Sequence, residues 1–136
     1  MLITRRIEFS ASHACRNPRL GEEENRAIYG LSANPHGHNY ALEVTLEGEP
    51  DPVSGMVFDL KRLKDILTRE ILEPMDHRFL NQEVAPFDTL APTAENVAVE
   101  VWRRLEPHLN FNAVRLHRVR LYETEDLYVD YLGETP

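Results

Sequence analysis

The alternation that runs from Tyr40 to Glu47 constrains this chain more than any other stretch. Tyr40, Leu42, Val44 and Leu46 share one parity, and Ala41, Glu43, Thr45 and Glu47 share the other. That period of two fits an extended strand with one buried face. Just upstream, NPHGHNY puts His36 and His38 on the parity of Tyr40 and Leu42. Two imidazoles therefore project together at the mouth of the buried row, with Gly37 leaving room between them. Ile3, Ile7 and Phe9 repeat the pattern near the N-terminus, and without a bulge that row continues through Ala11 to His13. Three neutral imidazoles can surround a divalent ion and leave a fourth position for substrate or water. Spacing alone leaves open whether the two strand ends meet, and a lone H-x-H arises readily by chance.

The remaining organisation follows from the same kind of reading. A turn-rich segment from Cys15 to Pro35, with a helical turn around EEENRA, exceeds the roughly 12 to 15 residues typical of a plain loop and reads as functional. DPVSG makes a turn, and GMVFD is expected as a short third strand. DLKRLKDILTREIL reads as a helix capped by Asp59, with Leu60, Leu63, Ile66, Leu67 and Ile71 in one stripe and Pro74 as its stop. A second helix starts at Thr93, buries Val97, Val101 and Leu105 with Ala98 and Trp102 beside them, and ends at Pro107. NAVRLHRVRLYE, a turn at TED and LYVDYLG form a hairpin. Val114 and Leu116 differ in parity from Val119 and Leu121, which requires a bulge near His117. The sum is a single α+β domain over residues 1–136, an antiparallel β-sheet with two helices packed on one face. The other face is left for solvent or for assembly.

Composition bounds the function. With 136 residues, 42% hydrophobic and 28% charged, the chain is an ordinary globular one. A formal charge of −8 and 15 Lys and Arg without a run argue against nucleic acid. No apolar run approaches the roughly 18 to 20 residues a bilayer requires, and MLITRRIEF is unlike a secretory signal. The expectation is a cytoplasmic protein with neither nucleic acid nor membrane as partner. Cys15 is the only cysteine, so no disulfide closes within the chain and that thiol is free for chemistry.

Five motifs in order carry a resemblance: FSASH at 9–13, GHNY at 37–40 inside HGHNY, MDH at 75–77, PTAENVAVEVW at 92–102 and YET at 122–124. Over essentially its whole length the chain resembles the 6-pyruvoyl-tetrahydropterin synthase and 6-carboxytetrahydropterin synthase family. The resemblance implies the tunnelling fold, with subunits joined side by side into a β-barrel as a homo-oligomer, commonly a hexamer formed as a dimer of trimers with active sites between subunits. It implies that His13, His36 and His38 bind Zn²⁺, a Lewis acid for the side-chain hydroxyls of 7,8-dihydroneopterin triphosphate that acidifies the neighbouring C–H. Asp76 and His77 would form a proton-transfer dyad beside a cysteine, and Glu123 would anchor the pterin ring through paired hydrogen bonds. Thr93 and Glu95 fit either a pocket role or a helix cap with an acid in the first turn. The implied activity is that of a lyase giving a 6-pyruvoyl or a 6-carboxy product, in tetrahydrobiopterin or queuosine biosynthesis.

One departure stands out. The family usually carries a cysteine four residues before H-x-H, and in GLSANPHGH that place is Ser32. A hydroxyl is several pK units harder to deprotonate than a thiol near 8.5. Cys15, on the parity of His13, is a candidate replacement; its plainer role is that of a small buried hydrophobe. The alternative is a catalytically impaired zinc- and pterin-binding homologue. Arg16, Arg19 and Arg26 either form a local anion site or balance GEEE at 21–24. The spacing of Gly30, His36, His38 and Glu43 also copies part of the cupin metal motif, but cupins need about eight strands, and Glu43 has the wrong parity to join the histidines.

Overall fold

The structure, a computed structural model, describes residues 1–110 and 112–134. In chain order its elements are β1 (Leu2–His13), α1 (Glu22–Tyr29), β2 (His36–Glu47), α2 (Leu60–Leu67), α3 (Glu73–Met75), β3 (Arg78–Phe79), α4 (Leu80–Glu83), α5 (Ala94–Leu109), β4 (Arg115–Thr124) and β5 (Leu127–Tyr131). The sheet order is β3-β1-β2-β4-β5. β1 and β2 pair antiparallel over their full length, from Leu2 opposite Glu47 to His13 opposite His36. β4 pairs with β2 only as far as Tyr122 opposite Ala41, so the first residues of β2 run past it and leave a notch in the sheet.

The alternation sends the apolar rows inward as expected, and Ala41 and Thr45 on the opposite parity of β2 are buried as well. Phe9, Ala11 and His13 of β1 and Tyr40, Leu42, Val44 and Leu46 of β2 are buried beneath α2 and α5. From α2 and the turn after it come Leu63, Ile66, Leu67 and Ile71; from α5 come Val97, Ala98, Val101 and Leu105. The expected bulge is present. Thr45 faces Arg118 and Leu46 faces Leu116, which leaves His117 as the extra residue. The kink turns Leu116, Val119 and Leu121 all inward. Asp59 caps α2 by accepting from the Lys61 N–H at 2.9 Å, and Thr93 Oγ1 caps α5 by accepting from Asn96 N–H at 3.3 Å.

Five details differ from the sequence reading. GMVFD is not a strand: its Val57 and Phe58 are buried without joining the ladder. An apolar run supplies core volume whether or not a strand edge is available to it. The third strand is instead Arg78–Phe79, parallel to β1 through Ala11 and Ser12, so the sheet is not wholly antiparallel. Pro74 does not stop the first helix; a wide π turn at Thr68–Leu72 leads into α3, where proline occupies an opening position that needs no N–H bond. Pro107 lies inside α5, which reaches Leu109. The lost bond falls in the final turn, and burial of Leu105 and Leu109 offsets it. Leu60, expected in the apolar stripe, is exposed.

The face away from the helices is polar and internally paired. Arg6 meets Glu43 at 3.2 Å, Arg118 approaches Glu43 at 4.0 Å, and Arg120 makes a two-point contact with Asp130 at 2.7 and 2.9 Å. Glu43 therefore points away from the histidines. The helices and the five-stranded sheet also exclude the cupin architecture. Because Leu121 is fully buried and Leu31 is 84% exposed, Leu121→Ala is expected to cost about 2–5 kcal/mol and Leu31→Ala at most about 0.5. Urea midpoints at unchanged slope test this.

Candidate metal centre

The register of β1 and β2 decides the geometry of the centre. Pairing His13 with His36 across the ladder, and placing His38 two residues further on the same face, closes a triangle of imidazoles. Ring centroids are 4.5 Å apart for His13 and His36, 5.1 Å for His13 and His38, and 5.0 Å for His36 and His38. One nitrogen from each ring lies within 4.8 Å of the others, so the three residues could hold a metal ion.

The outer nitrogens are fixed by backbone. His13 Nδ1 lies 2.7 Å from the Pro92 carbonyl and His36 Nδ1 lies 2.7 Å from the Asn34 carbonyl. A carbonyl only accepts, so both Nδ1 atoms carry the hydrogen and both Nε2 lone pairs are free. His13 Nε2 and His38 Nε2 are buried without a hydrogen-bond partner, a costly state that ligation relieves. Burial, aided by its imidazole neighbours against the opposing Pro92 hydrogen bond, lowers the His13 pKa to about 4. Burial lowers that of His38 as well, with Glu123 opposing. Neutral imidazole is the form a cation requires.

The centre opens on a cavity of about 970 Å³ whose lining includes His38, Asp76, His77, Glu123, Arg6 and Tyr122. Glu123, near the end of β4, places Oε1 3.6 Å from His38 Nε2, too long for a hydrogen bond. Asp76 Oδ1 accepts the Ser10 N–H at 2.9 Å and lies 3.0 Å from His77 Nδ1. The His77 N–H in turn donates to the Ser10 carbonyl at 2.6 Å, which holds this residue at a φ of 62°. That left-handed conformation is uncommon for histidine and aims an exposed ring at the cavity.

Other predicted residues stand apart from this group. Cys15 follows the end of β1, is buried, and puts Sγ 4.0 Å from His13 Nδ1, on the side opposite the free nitrogen. Burial, with smaller contributions from Glu123 and Glu95, pushes its thiol up to about 11, so it is protonated at neutral pH. Ser32 is exposed on the short 3₁₀ turn Gly30–Ala33, and its carbonyl accepts the Cys15 N–H at 2.8 Å. Thr93 spends its hydroxyl on the cap of α5, and Glu95 is exposed in the first turn. Arg16 pairs with Glu22, while Arg19 and Arg26 are exposed. Sequence reasoning missed the two carbonyls, of Pro92 and Asn34, and the Tyr40 hydroxyl 3.4 Å from His13 Nδ1. Tyr40 was readable from its parity; a backbone carbonyl carries no residue signature.

The chain is similar to known proteins over nearly its whole length. The sequence model of a family described as 6-pyruvoyl tetrahydropterin synthase matches residues 2–134. A protein of Pongo abelii named 6-pyruvoyl tetrahydrobiopterin synthase is 43% identical, over 97% of this chain and 91% of that one. A protein of Rickettsia conorii named 6-carboxy-5,6,7,8-tetrahydropterin synthase is 30% identical, over 93% and 96%. The structure of Caenorhabditis elegans 6-pyruvoyl tetrahydropterin synthase superposes with a TM-score of 0.92 at 36% identity, covering 98% of this chain and 96% of that one.

The lowered His13 pKa sets a pH dependence. Below the free-histidine value of 6.5 the unfolded chain binds a proton that folded His13 refuses until about pH 4. Its neutral burial therefore contributes stability in full above 6.5 and loses it as pH falls toward 4. The metal-free protein is expected to show a lower urea midpoint at pH 5 than at pH 7.5, with the gap narrowed in His13→Gln.

Proposed function

The chain belongs to the 6-pyruvoyl tetrahydropterin synthase family, and from that premise we propose that it is a zinc-dependent lyase acting on 7,8-dihydroneopterin triphosphate. The observation that carries the proposal is the pair of buried, partnerless Nε2 atoms of His13 and His38, in a cluster with His36 beside the cavity that Glu123 lines. Three histidines and an open side favour zinc among the common divalent ions. Bound zinc would supply Lewis acidity to the substrate's side-chain hydroxyls and so acidify the adjacent C–H. Glu123 accepts from the ring N–H and the exocyclic amino group of the pterin and fixes its orientation.

Proton transfer falls to His77, with Asp76 holding the ring and stabilising its charged form. The Asp76 carboxylate is itself tied to the β1 backbone at Ser10, so the dyad is set relative to His13 and His38 by the same sheet. Cys15 is poorly suited to serve as base, since its thiol is protonated and lies behind His13. The greater identity to relatives bearing the 6-pyruvoyl name favours loss of triphosphate to give 6-pyruvoyl-tetrahydropterin over side-chain cleavage to a 6-carboxy product. The impaired-homologue reading rests on Ser32 alone.

Assembly is part of the proposal. Among the described residues β3 covers β1 only at Ala11 and Ser12, and β5 forms the opposite edge of the sheet. Two such edges and a polar outer face suit side-by-side joining of copies into a barrel, as in a hexamer of two trimers. Among the described residues no helix is long and apolar enough to cross a membrane, in keeping with a cytoplasmic site of action.

Pure protein loaded with zinc and given 7,8-dihydroneopterin triphosphate is expected to release triphosphate and a product with the mass of 6-pyruvoyl-tetrahydropterin. Chelation or His36→Ala should abolish turnover by more than about 100-fold. Unchanged turnover after metal removal would end the proposal, and a monomer in sedimentation would remove its assembly part. If Ser32 stands where a thiol would act, Ser32→Cys raises the rate by orders of magnitude; an unchanged rate counts against that position.

A further inference from the structure

His13 Nδ1 has three neighbours: the Pro92 carbonyl at 2.7 Å, the Tyr40 hydroxyl at 3.4 Å and the Cys15 sulfur at 4.0 Å. They differ in what they permit. The carbonyl only accepts, and so requires the hydrogen on Nδ1. The hydroxyl and the thiol can both donate, and if either did, the hydrogen would move to Nε2 and that nitrogen would lose the lone pair a cation needs. Tyr40 is fully buried, and His13 Nδ1 is the hydrogen-bond partner of its hydroxyl. The ligating tautomer of His13 therefore wins a competition whose outcome depends on where the Pro92 carbonyl stands.

Asn96 is hydrogen-bonded to both neighbours of Pro92. Its side-chain Nδ2 donates to the Ala91 carbonyl at 2.8 Å, and its backbone N–H donates to Thr93 Oγ1 at 3.3 Å. Pro92 lies between these two fastenings and has a ring-fixed φ. We propose that Asn96 is a positioning residue for the metal centre: by holding both flanks of Pro92 it aims the carbonyl that keeps His13 in its ligating tautomer against capture by Tyr40. The inference rests on the reading of the three histidines as metal ligands.

The test uses the full-length chain with Asn96→Asp, Tyr40→Phe and the double variant. Asp keeps the shape of Asn and suits a first helical turn, but it cannot donate to the Ala91 carbonyl. Long-range ¹H–¹⁵N spectra of the metal-free protein report the His13 tautomer, and competition with a chelator reports cobalt(II) affinity. Expected results are the Nδ1–H form in the unsubstituted protein, a mixture with Nε2–H in Asn96→Asp, and a loss of cobalt affinity of about 10- to 100-fold. The double variant should recover most of both, because phenylalanine has no hydroxyl to donate. A role in helix capping alone would lower the melting temperature without moving the tautomer. Unaltered tautomer and affinity in Asn96→Asp would overturn the inference, as would a double variant no better than the single one. Failure of the unsubstituted protein to take up cobalt would overturn the reading of the site as well.

Discussion

The pairing of β1 with β2 is the constraint on which the rest depends. A register with His13 opposite His36 sets two histidine-ended rows on one face and brings three imidazoles within reach of one another. A slip of one residue in either strand would send that strand's histidines to the polar face, together with Phe9 and Ala11 or Tyr40, Leu42 and Val44. The core and the centre are thus specified by one choice. Burial of the apolar row holds the register, and the register places the three imidazoles as a by-product.

Within this frame, one end of the core is wet chemistry and the other is ordinary packing. The change occurs at Tyr40, whose ring stacks on Phe9 at 5.0 Å while its hydroxyl reaches His13. Asn81 reinforces the junction by bonding both the N–H and the carbonyl of Ala14, at 2.9 and 2.8 Å. His13 is therefore held through its backbone by α4 and through its ring by the turn before α5. Such support is what a ligand needs to keep an unpaired nitrogen buried.

How much of this was legible follows from what leaves a trace in residue identity. Period-two alternation placed His13, His36 and His38 on one face, and the parity change between Leu116 and Val119 located the bulge at His117. The caps at Asp59 and Thr93 were readable because side-chain oxygens do the capping. Cys15 lies beyond the reach of parity, which carries orientation only while a strand continues, and β1 ends at His13. GMVFD reads as a strand because hydrophobicity reports burial and not hydrogen-bond partners. The Pro92 and Asn34 carbonyls were silent, since every residue has one.

The notch left where β4 stops short of β2 separates two kinds of design freedom. Imidazole spacing is inherited from the ladder of β1 and β2, which extends beyond the last β4 pair at Ala41 and Tyr122. The rim of the cavity is drawn in part from the hairpin end, including Thr124 and Glu125, where exchanges touch no core residue. Which small molecule fits can accordingly be altered by editing a surface turn, while the imidazole spacing stays locked in the ladder that also orders the core.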